Sequence, residues 1–344
     1  MTDISIIIPT LNRQEDLKNC LISLVRQDFA SNQYEILVVD NGSTDSTKEI
    51  TEEAIALFPR HRISYIYEPE PGLLSGRHRG ASETQGDILI FIDDDIEADK
   101  NWLASIHTSF QDDSVQLVGG RNLPKYETNP PEWLDWFWID HPYGKICGEL
   151  SLLDFGEDIK EIDANYVWGL NFSIRRQAIL KLGGFHPDCI PQRLQHFQGD
   201  GETGLTIKAN KLGYKAVYQP KALVWHQVTI QRMTYQYFER RYFYQGVCDS
   251  YTEIRQQGYL PRQSTIAQLK QVIKYPLKQI KNQMFSLFSP TEKRNQQALR
   301  SQLGQSYQLG HEFHRKSVIK NPELLEWITK PDYWDYQLPK FTLV

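Results

Sequence analysis

The chain has 344 residues, 40% of them hydrophobic, with 38 Lys plus Arg against 43 Asp plus Glu and a formal net charge of −5. This composition excludes a mainly disordered chain, and the length allows two average domains or one large α/β domain with an appendage. No apolar run approaches the roughly 18 residues that a membrane span needs, and no signal peptide pattern opens the sequence. The four cysteines form no CxxC pair, so we expect no disulfide framework or cysteine zinc site, and a cytoplasmic protein.

The modest net charge conceals an uneven distribution. Residues 1–230 carry 21 basic and 34 acidic side chains, whereas residues 231–300 carry 12 basic and 4 acidic ones. This change predicts an acidic first domain over 1–230 and a basic, mainly helical region over 231–344.

The first hundred residues alternate short β-branched runs with helical periodicity, which is the pattern of a parallel sheet covered by helices. Asn12 and Glu15 have the spacing of a capping box and predict the start of the first helix. The helix before the fourth strand presents His78 and Arg79, which we expect on a solvated face. The predicted strands are 4–9, 35–40, 63–68 and 88–92.

The pattern beyond residue 100 is less regular. We predict a strand at 115–119, a long loop over 125–160 and a strand at 167–174. A helix over 202–212 follows, and Gly213 closes it. The segment 215–225 then returns as an extended stretch that contains Pro220.

Three of the predicted strands end in polar or acidic residues, namely Thr10, Asp40 and the triplet Asp93, Asp94 and Asp95. In open α/β sheets ligands bind beyond the carboxyl ends of the strands, so we expect these side chains to meet at one crevice. If the backbone stays extended, Asp93 and Asp95 face one side and Asp94 the other.

The acidic triplet is the most informative feature of the sequence. Carboxylates brought together after an apolar strand repel one another unless a cation lies between them, and such oxygen ligands suit Mg²⁺ or Mn²⁺. An acidic turn, or an N-terminal cap of the helical stretch that follows Asp99, explains the triplet equally well when it is taken alone.

Four motifs in this order resemble the nucleotide-sugar-binding half of the family 2 glycosyltransferases, which are inverting enzymes of GT-A fold. The resemblance covers about residues 3–230. The motifs are Ser5-Ile-Ile-Ile-Pro-Thr-Leu-Asn-Arg13, Val38-Val-Asp-Asn-Gly-Ser-Thr-Asp45, the segment 72–80 with Arg77, and Phe91-Ile-Asp-Asp-Asp95.

The resemblance implies a fold, a donor and a set of site residues. The fold is a Rossmann-like, mostly parallel sheet flanked by helices, and the donor is a nucleoside diphosphate sugar, with Asp40 suited to the N–H of uracil. A divalent ion, Mn²⁺ or Mg²⁺, is implied on Asp95, with His226 as a further ligand. The implied donor-binding residues are Pro9, Thr10, Asn12, Asp40, Arg77, Asp93 and Asp94.

The catalytic base is implied at the start of the helix over 202–212. Relatives usually carry a Glu-Asp pair there, whereas this chain reads Gly199-Asp-Gly-Glu202, with Gly201 in place of the usual glutamate. We take Glu202 as the base and Asp200 as its alternative. Either residue also suits the N-terminus of a helix, where the dipole favours a carboxylate.

Aromatic residues suggest a sugar or acceptor surface. Trp138, in the loop over 125–160, and Trp168 could stack on sugar rings, and Asn171 lies on the strand that faces the crevice in relatives. Anchoring of the long loop to the core explains its tryptophans at least as well.

The basic C-terminal region contains an apolar stripe at helical spacing over 266–284, with lysines along one flank. Packing on the first domain explains the stripe better than contact with an anionic membrane, and the acidic first domain argues against nucleic acid.

The sequence therefore predicts a metal-dependent glycosyltransferase with a nucleotide-sugar donor and a glycan or lipid-linked acceptor. Two alternatives stay open. One is a sugar-phosphate nucleotidyltransferase, which typically has a glycine-rich basic loop that residues 10–13 lack. The other is a catalytically inactive carbohydrate-binding scaffold, because the Asp-Gly-Glu motif is altered.

Overall fold

The computed structural model describes residues 3–260, 291–335 and 337–338. The chain divides into two compact units, one of 1–233 with 330–344 and one of 234–329. The predicted stripe over 266–284 lies outside the described residues. Among the described helices, none is long and apolar enough to cross a bilayer.

Twelve strands of the first unit form one mixed sheet. Their bounds are β1 (Ile4–Thr10), β2 (Tyr34–Asp40), β3 (Arg62–Tyr67), β4 (Ile88–Ile92), β5 (Ile96–Ala98), β6 (Val115–Tyr126), β7 (Ile139–His141), β8 (Gly144–Cys147), β9 (Leu152–Asp154), β10 (Lys160–Ile162), β11 (Asn171–Arg175) and β12 (Lys215–Val228).

Six helices accompany these strands in the first unit. They are α1 (Gln14–Leu24), α2 (Thr47–Leu57), α3 (Leu73–Glu83), α4 (Trp102–Ser109), α5 (Arg176–Leu182) and α6 (Glu202–Lys211). The second unit contributes α7 (Tyr235–Gln257), α8 (Thr291–Lys320) and α9 (Pro322–Thr329).

The sheet has the order β3-β2-β1-β4-β11-β6, continued by β9-β8-β7. The first four of these strands are parallel, β11 runs antiparallel between β4 and β6, and β12 lies parallel to β6. Every residue of β1 and β4 is buried, which explains why both segments are mostly apolar and lack the alternation of a half-exposed strand. The carboxyl ends of β1, β2 and β4 therefore meet at one edge.

The predicted N-terminal cap of α1 is wrong. Asn12 does not cap α1, because it adopts φ +54 and Arg13 is the residue that precedes the helix. Its Oδ1 instead accepts a hydrogen bond from the backbone N–H of Thr44 at 2.7 Å, so the amide joins the loops after β1 and β2. Asn tolerates this left-handed conformation better than most residues.

The predicted long loop over 125–160 is mostly structured. It contains a 3₁₀ turn at Glu132–Phe137 and the antiparallel strands β7, β8 and β9. These strands are three or four residues long, too short for a periodic signal, and rings of His141, Tyr143 and Phe155 pack together beside them. Tertiary packing, rather than local pattern, selects the strand conformation here.

The segment after residue 329 belongs to the first unit and packs on α3. Tyr333 is fully buried, and its carbonyl oxygen lies 3.1 Å from Nδ1 of His78. The indole of Trp334 stacks on the same imidazole, with ring centroids 4.2 Å apart. The expectation of a solvated face is therefore wrong for His78, which is 5% exposed.

In the second unit α7 and α8 pack closely at two glycines. A Cβ on Gly246 would lie 2.0 Å from the carbonyl oxygen of Tyr307, and one on Gly310 would lie 1.9 Å from that of Phe243. Further along both helices, Ser250 Oγ and His314 Nδ1 are 2.8 Å apart and buried. Contacts thus advance together along the two helices, which run parallel.

Candidate functional site

The carboxyl ends of β1, β2 and β4 bring three predicted donor-site residues together. The hydroxyl of Thr10 donates to Asp94 Oδ2 at 2.8 Å. Asp40 is buried, with Oδ1 accepting from the backbone N–H of Ser43 at 2.7 Å and Oδ2 from the Tyr65 hydroxyl at 2.8 Å. Each carboxylate oxygen can accept a further bond, so Asp40 holds its turn and keeps capacity for a ligand donor.

Pro9 shapes the same edge through its contact with α3. A Cβ on Gly76 would lie 2.9 Å from the Pro9 Cβ, so the glycine lets α3 approach β1 closely. This approach places Arg77 at the edge of the sheet.

The acidic triplet is arranged differently from the expected alternation. The extended backbone ends at Ile92, and Asp94 and Asp95 lie in a turn before β5. As a result Asp94 and Asp95 share a partner, because Arg13 Nη1 donates to Asp94 Oδ1 at 2.9 Å and to Asp95 Oδ2 at 2.7 Å. Asp93 is oriented toward Arg77, whose Nη2 lies 3.7 Å from its Oδ1.

The crowding of these acids perturbs their titration. Burial raises the pKa of Asp94 to about 7, against the opposing charge of Arg13. Burial and then the charge of Asp95 raise the pKa of Asp93. Burial alone would raise the pKa of Asp95 too, but contact with His226 and the positive charges of Arg232 and Arg13 hold it well below its usual range.

Asp95 and His226 face each other across a short gap. His226 Nε2 lies 3.4 Å from Asp95 Oδ1, and both side chains are buried. The His226 Nδ1–H donates to the Leu150 carbonyl at 2.9 Å, which leaves the lone pair of the ring on Nε2. Arg232 donates to both groups, from Nη1 to His226 Nε2 and from Nη2 to Asp95 Oδ2, each at 2.5 Å.

This pair fits a divalent cation. Asp95 Oδ1 is buried and, within the part of the chain that the structure describes, accepts no hydrogen bond. An unsatisfied carboxylate oxygen opposite an imidazole lone pair is a donor set that Mn²⁺ accepts. No group of three or more His, Cys, Asp or Glu ligands occurs among residues 3–260, 291–335 and 337–338, so further ligands would come from substrate and water.

Arg77 connects Asp93 with Glu202. Its guanidinium is buried, with Nη1 3.5 Å from Glu202 Oε2, and it lies over the Phe185 ring at 4.8 Å. Glu202 Oε1 accepts the backbone N–H of Gly169 at 3.1 Å. A Cβ on Gly169 would lie 2.4 Å from Arg77 Nη2, so only glycine leaves room for this arrangement.

Asp200 is placed apart from Glu202. Its Oδ1 lies 2.6 Å from Nδ1 of His186, and both residues are buried. The choice of base stays a prediction, and the exposed share of the carboxylates favours Glu202, at 26% against 3% for Asp200.

The three residues predicted for the sugar surface differ in their surroundings. Trp138 and Trp168 are half-buried, and the Trp168 indole donates to the Asn165 carbonyl at 3.1 Å. Asn171 is buried in a network in which its Oδ1 accepts from the Trp102 indole and its Nδ2 donates to the Ala222 carbonyl, both at 2.9 Å. We leave Asn171 out of the site proposed below because these bonds occupy its amide.

Sequence reasoning did not assign Arg13 and Arg232 to the site. Arg13 ends a motif quoted for the resemblance, so its position beside the strand end was a usable signal. Arg232 reaches Asp95 from 137 residues away, and no local pattern marks it.

Comparisons with known proteins identify the family of the chain. The family model described as glycosyl transferase family 2 matches residues 5–183. The chain belongs to glycosyl transferase family 2. Membership confirms the predicted transferase class and excludes the nucleotidyltransferase alternative.

Two curated relatives come from Haloferax volcanii. Glycosyltransferase AglE is 35% identical over 219 residues, which are 62% of this chain and 64% of that protein. Glucosyl-dolichyl phosphate glucuronosyltransferase is 22% identical over 249 residues, 71% of this chain and 75% of that protein. The chain thus spans less than two thirds of the first of these relatives.

A solved structure shares the fold. Mannosyltransferase PcManGT from Pyrobaculum calidifontis, in complex with GDP-Man and Mn²⁺, superposes with a TM-score of 0.56 at 16% identity, covering 97% of this chain and 88% of that one. The predicted α/β GT-A fold with a helical C-terminal region is confirmed.

Proposed function

We propose that the protein is a metal-dependent, inverting glycosyltransferase that moves a sugar from a nucleoside diphosphate donor, of the UDP type, to a hydroxyl of a glycan or a lipid-linked acceptor. The observation that carries the proposal is the pairing of two sites at one edge of the sheet. Asp95 and His226 would hold a cation, and Glu202, beside Arg77, would accept a proton.

The donor nucleoside would bind at the ends of β1 and β2. Asp40 accepts a base N–H with its remaining lone pairs, and the loop with Thr10 and Asn12 borders the same place. Asp93 lies beside Arg77 and suits the ribose hydroxyls. Asp94 accepts hydrogen bonds from Thr10 and Arg13, so it would contribute to donor binding together with these two residues.

The donor diphosphate would lie against Asp95, His226, Arg13 and Arg232. Mn²⁺ or Mg²⁺ held by Asp95 and His226 supplies charge neutralisation for the leaving diphosphate. Arg13 and Arg232 both contact the carboxylate of Asp95. Their guanidinium groups can bind phosphate oxygens when the donor diphosphate lies beside Asp95.

Glu202 would accept the proton of the acceptor hydroxyl as that hydroxyl attacks the anomeric carbon. Arg77 and the Gly169 N–H both contact this carboxylate and hold it in place. Trp138 and Trp168 are candidates for stacking on the sugar rings. The relative named as a glucosyl-dolichyl phosphate glucuronosyltransferase supports a lipid-linked acceptor. We further propose a cytoplasmic location and contact with an anionic membrane.

The test is a transfer assay with Mn²⁺ and a panel of UDP-sugars, with GDP-mannose included. We expect transfer with a UDP-sugar and loss of at least about a hundredfold in kcat for Glu202→Gln, because the amide cannot accept the proton. Asp158→Asn, at an exposed carboxylate, is the matched control and keeps full activity. Full activity of Glu202→Gln would refute the base assignment, and donor binding without turnover would favour the scaffold.

A further inference from the structure

Asp188 lies between α5 and α6, in a segment that sequence reasoning did not single out. Its Oδ1 accepts hydrogen bonds from the Cys189 backbone N–H at 2.8 Å and from the Gln198 side-chain amide at 2.6 Å. Its carbonyl oxygen accepts the N–H of Leu73, the first residue of α3, at 3.0 Å. These bonds hold Asp188 beside the helix that carries Arg77.

The carboxylate of Asp188 lies where a side chain on residue 201 would be. Gly201, which immediately precedes Glu202, has φ +56, a conformation that strongly favours glycine. A Cβ at this position would lie 2.7 Å from Asp188 Oδ2. The carboxylate of Asp188 thus lies beside the residue that precedes Glu202.

Asp188 shares its surroundings with the proposed base. Burial and then the negative charge of Glu202 raise the pKa of Asp188, and Arg77 opposes this rise. While Oδ1 accepts two hydrogen bonds, Oδ2 accepts none from the residues that the structure describes. Asp188 is half-buried, and a carboxylate oxygen with free lone pairs can accept a hydrogen bond from a hydroxyl group of a ligand.

We propose that Asp188 is an acceptor-binding residue whose Oδ2 accepts a hydrogen bond from the acceptor hydroxyl next to the one that Glu202 deprotonates. Two neighbouring carboxylates fit a vicinal diol, so the acceptor is a sugar with two adjacent free hydroxyls. The inference rests on the proposed function, because it requires transfer to a hydroxyl.

The experiment compares wild type with Asp188→Asn and with the exposed control Asp158→Asn. The acceptor probes are methyl glycosides of glucose, galactose, mannose and N-acetylglucosamine, followed by monodeoxy analogues of the best one. We expect Asp188→Asn to lower kcat/KM for the acceptor about ten- to a hundredfold, the range for a hydrogen bond to a charged group. Affinity for UDP with Mn²⁺, measured by calorimetry, stays unchanged.

A second readout separates recognition from a merely structural role. Removal of the adjacent hydroxyl lowers kcat/KM in wild type by a factor similar to that of the substitution, and lowers it much less in Asp188→Asn. If that variant lacks a cooperative thermal transition, Asp188→Glu takes its place, since it keeps the charge but moves it by one carbon–carbon bond. The same losses are expected.

Full acceptor kcat/KM in either folded variant, or an equal deoxy penalty in wild type and variant, would overturn the role of Asp188. A wild-type protein that transfers no sugar to any acceptor would instead overturn the proposed function itself, and the inference with it.

Discussion

Acidification should destabilise the first unit through one buried histidine. His78 Nε2 accepts the backbone N–H of Phe185 at 2.9 Å, so Nδ1 carries the proton and donates to the Tyr333 carbonyl at 3.1 Å. A second proton would have to point at the Phe185 N–H. Burial, the first cause, lowers the pKa of His78 to about 3, whereas the hydrogen bond to Tyr333 opposes this change.

The sign follows from which state takes up the proton first. As pH falls through 6.5 the unfolded chain protonates and the folded chain does not, so stability is fully present above pH 6.5 and declines toward pH 3. With these two pKa values the loss is about 2 kcal/mol at pH 5 and approaches about 5 kcal/mol below pH 3.

The assay is urea unfolding of wild type and His78→Asn at pH 7.5 and pH 5.0, followed by tryptophan fluorescence. The variant is less stable at pH 7.5 by about 1–3 kcal/mol, because asparagine cannot satisfy both backbone partners. At pH 5.0 the difference in free energy of unfolding shrinks by about 2 kcal/mol, because the variant has no imidazole to protonate.

The control is the same comparison at pH 7.5 and 8.5, where the difference should not change, since the imidazole is neutral in both states. An equal difference at pH 7.5 and 5.0 would refute the reasoning, because it would mean that His78 titrates alike in the folded and unfolded chain.

Four further substitutions test the site and the second unit. Asp95→Asn should weaken binding of Mn²⁺ in the presence of UDP by about tenfold or more in calorimetry, and unchanged affinity would exclude Asp95 as a ligand. Arg77→Met should lower the free energy of unfolding by about 2–4 kcal/mol, because it leaves Asp93 and Glu202 without their buried counter-charge; a loss below about 1 kcal/mol would contradict the ion-pair assignment. Gly246→Ala should lower the melting temperature, because the new Cβ meets the Tyr307 carbonyl at 2.0 Å, whereas Gly304→Ala, with nothing within 4 Å, should raise it. Shifts of the same sign in the two glycine variants would refute the close packing of α7 and α8.

The central strands could be predicted because their signal is local. Strands β1 and β4 are buried along their whole length, so each is mostly apolar, and a polar residue at or just after the end of each strand marks where it stops. Strands β7, β8 and β9 could not be predicted, since three or four residues carry no period and their conformation depends on aromatic packing.

The site divides in the same way. The sequence indicates the acidic triplet, Asp40 and Glu202 as site residues, because each adjoins an element boundary or a motif. The sequence does not indicate the partners of these acids, because Arg13 and Arg232 contact Asp95 from separations of 82 and 137 residues. The place of Asp188 beside the site follows only from the tertiary structure, in which a Cβ on Gly201 would meet its carboxylate.

By itself the sequence determined the parallel strands of the first unit and the acidic edge of their sheet, because apolar runs and the polar residues at strand ends are local features. Its motifs carried the resemblance to glycosyl transferase family 2. The tertiary structure alone decided which charges share an environment. A turn after Ile92 pairs Asp94 with Asp95, and the guanidinium of Arg77 lies between Asp93 and Glu202. Electrostatic coupling depends on distance in space, and the order of residues along the chain does not specify that distance.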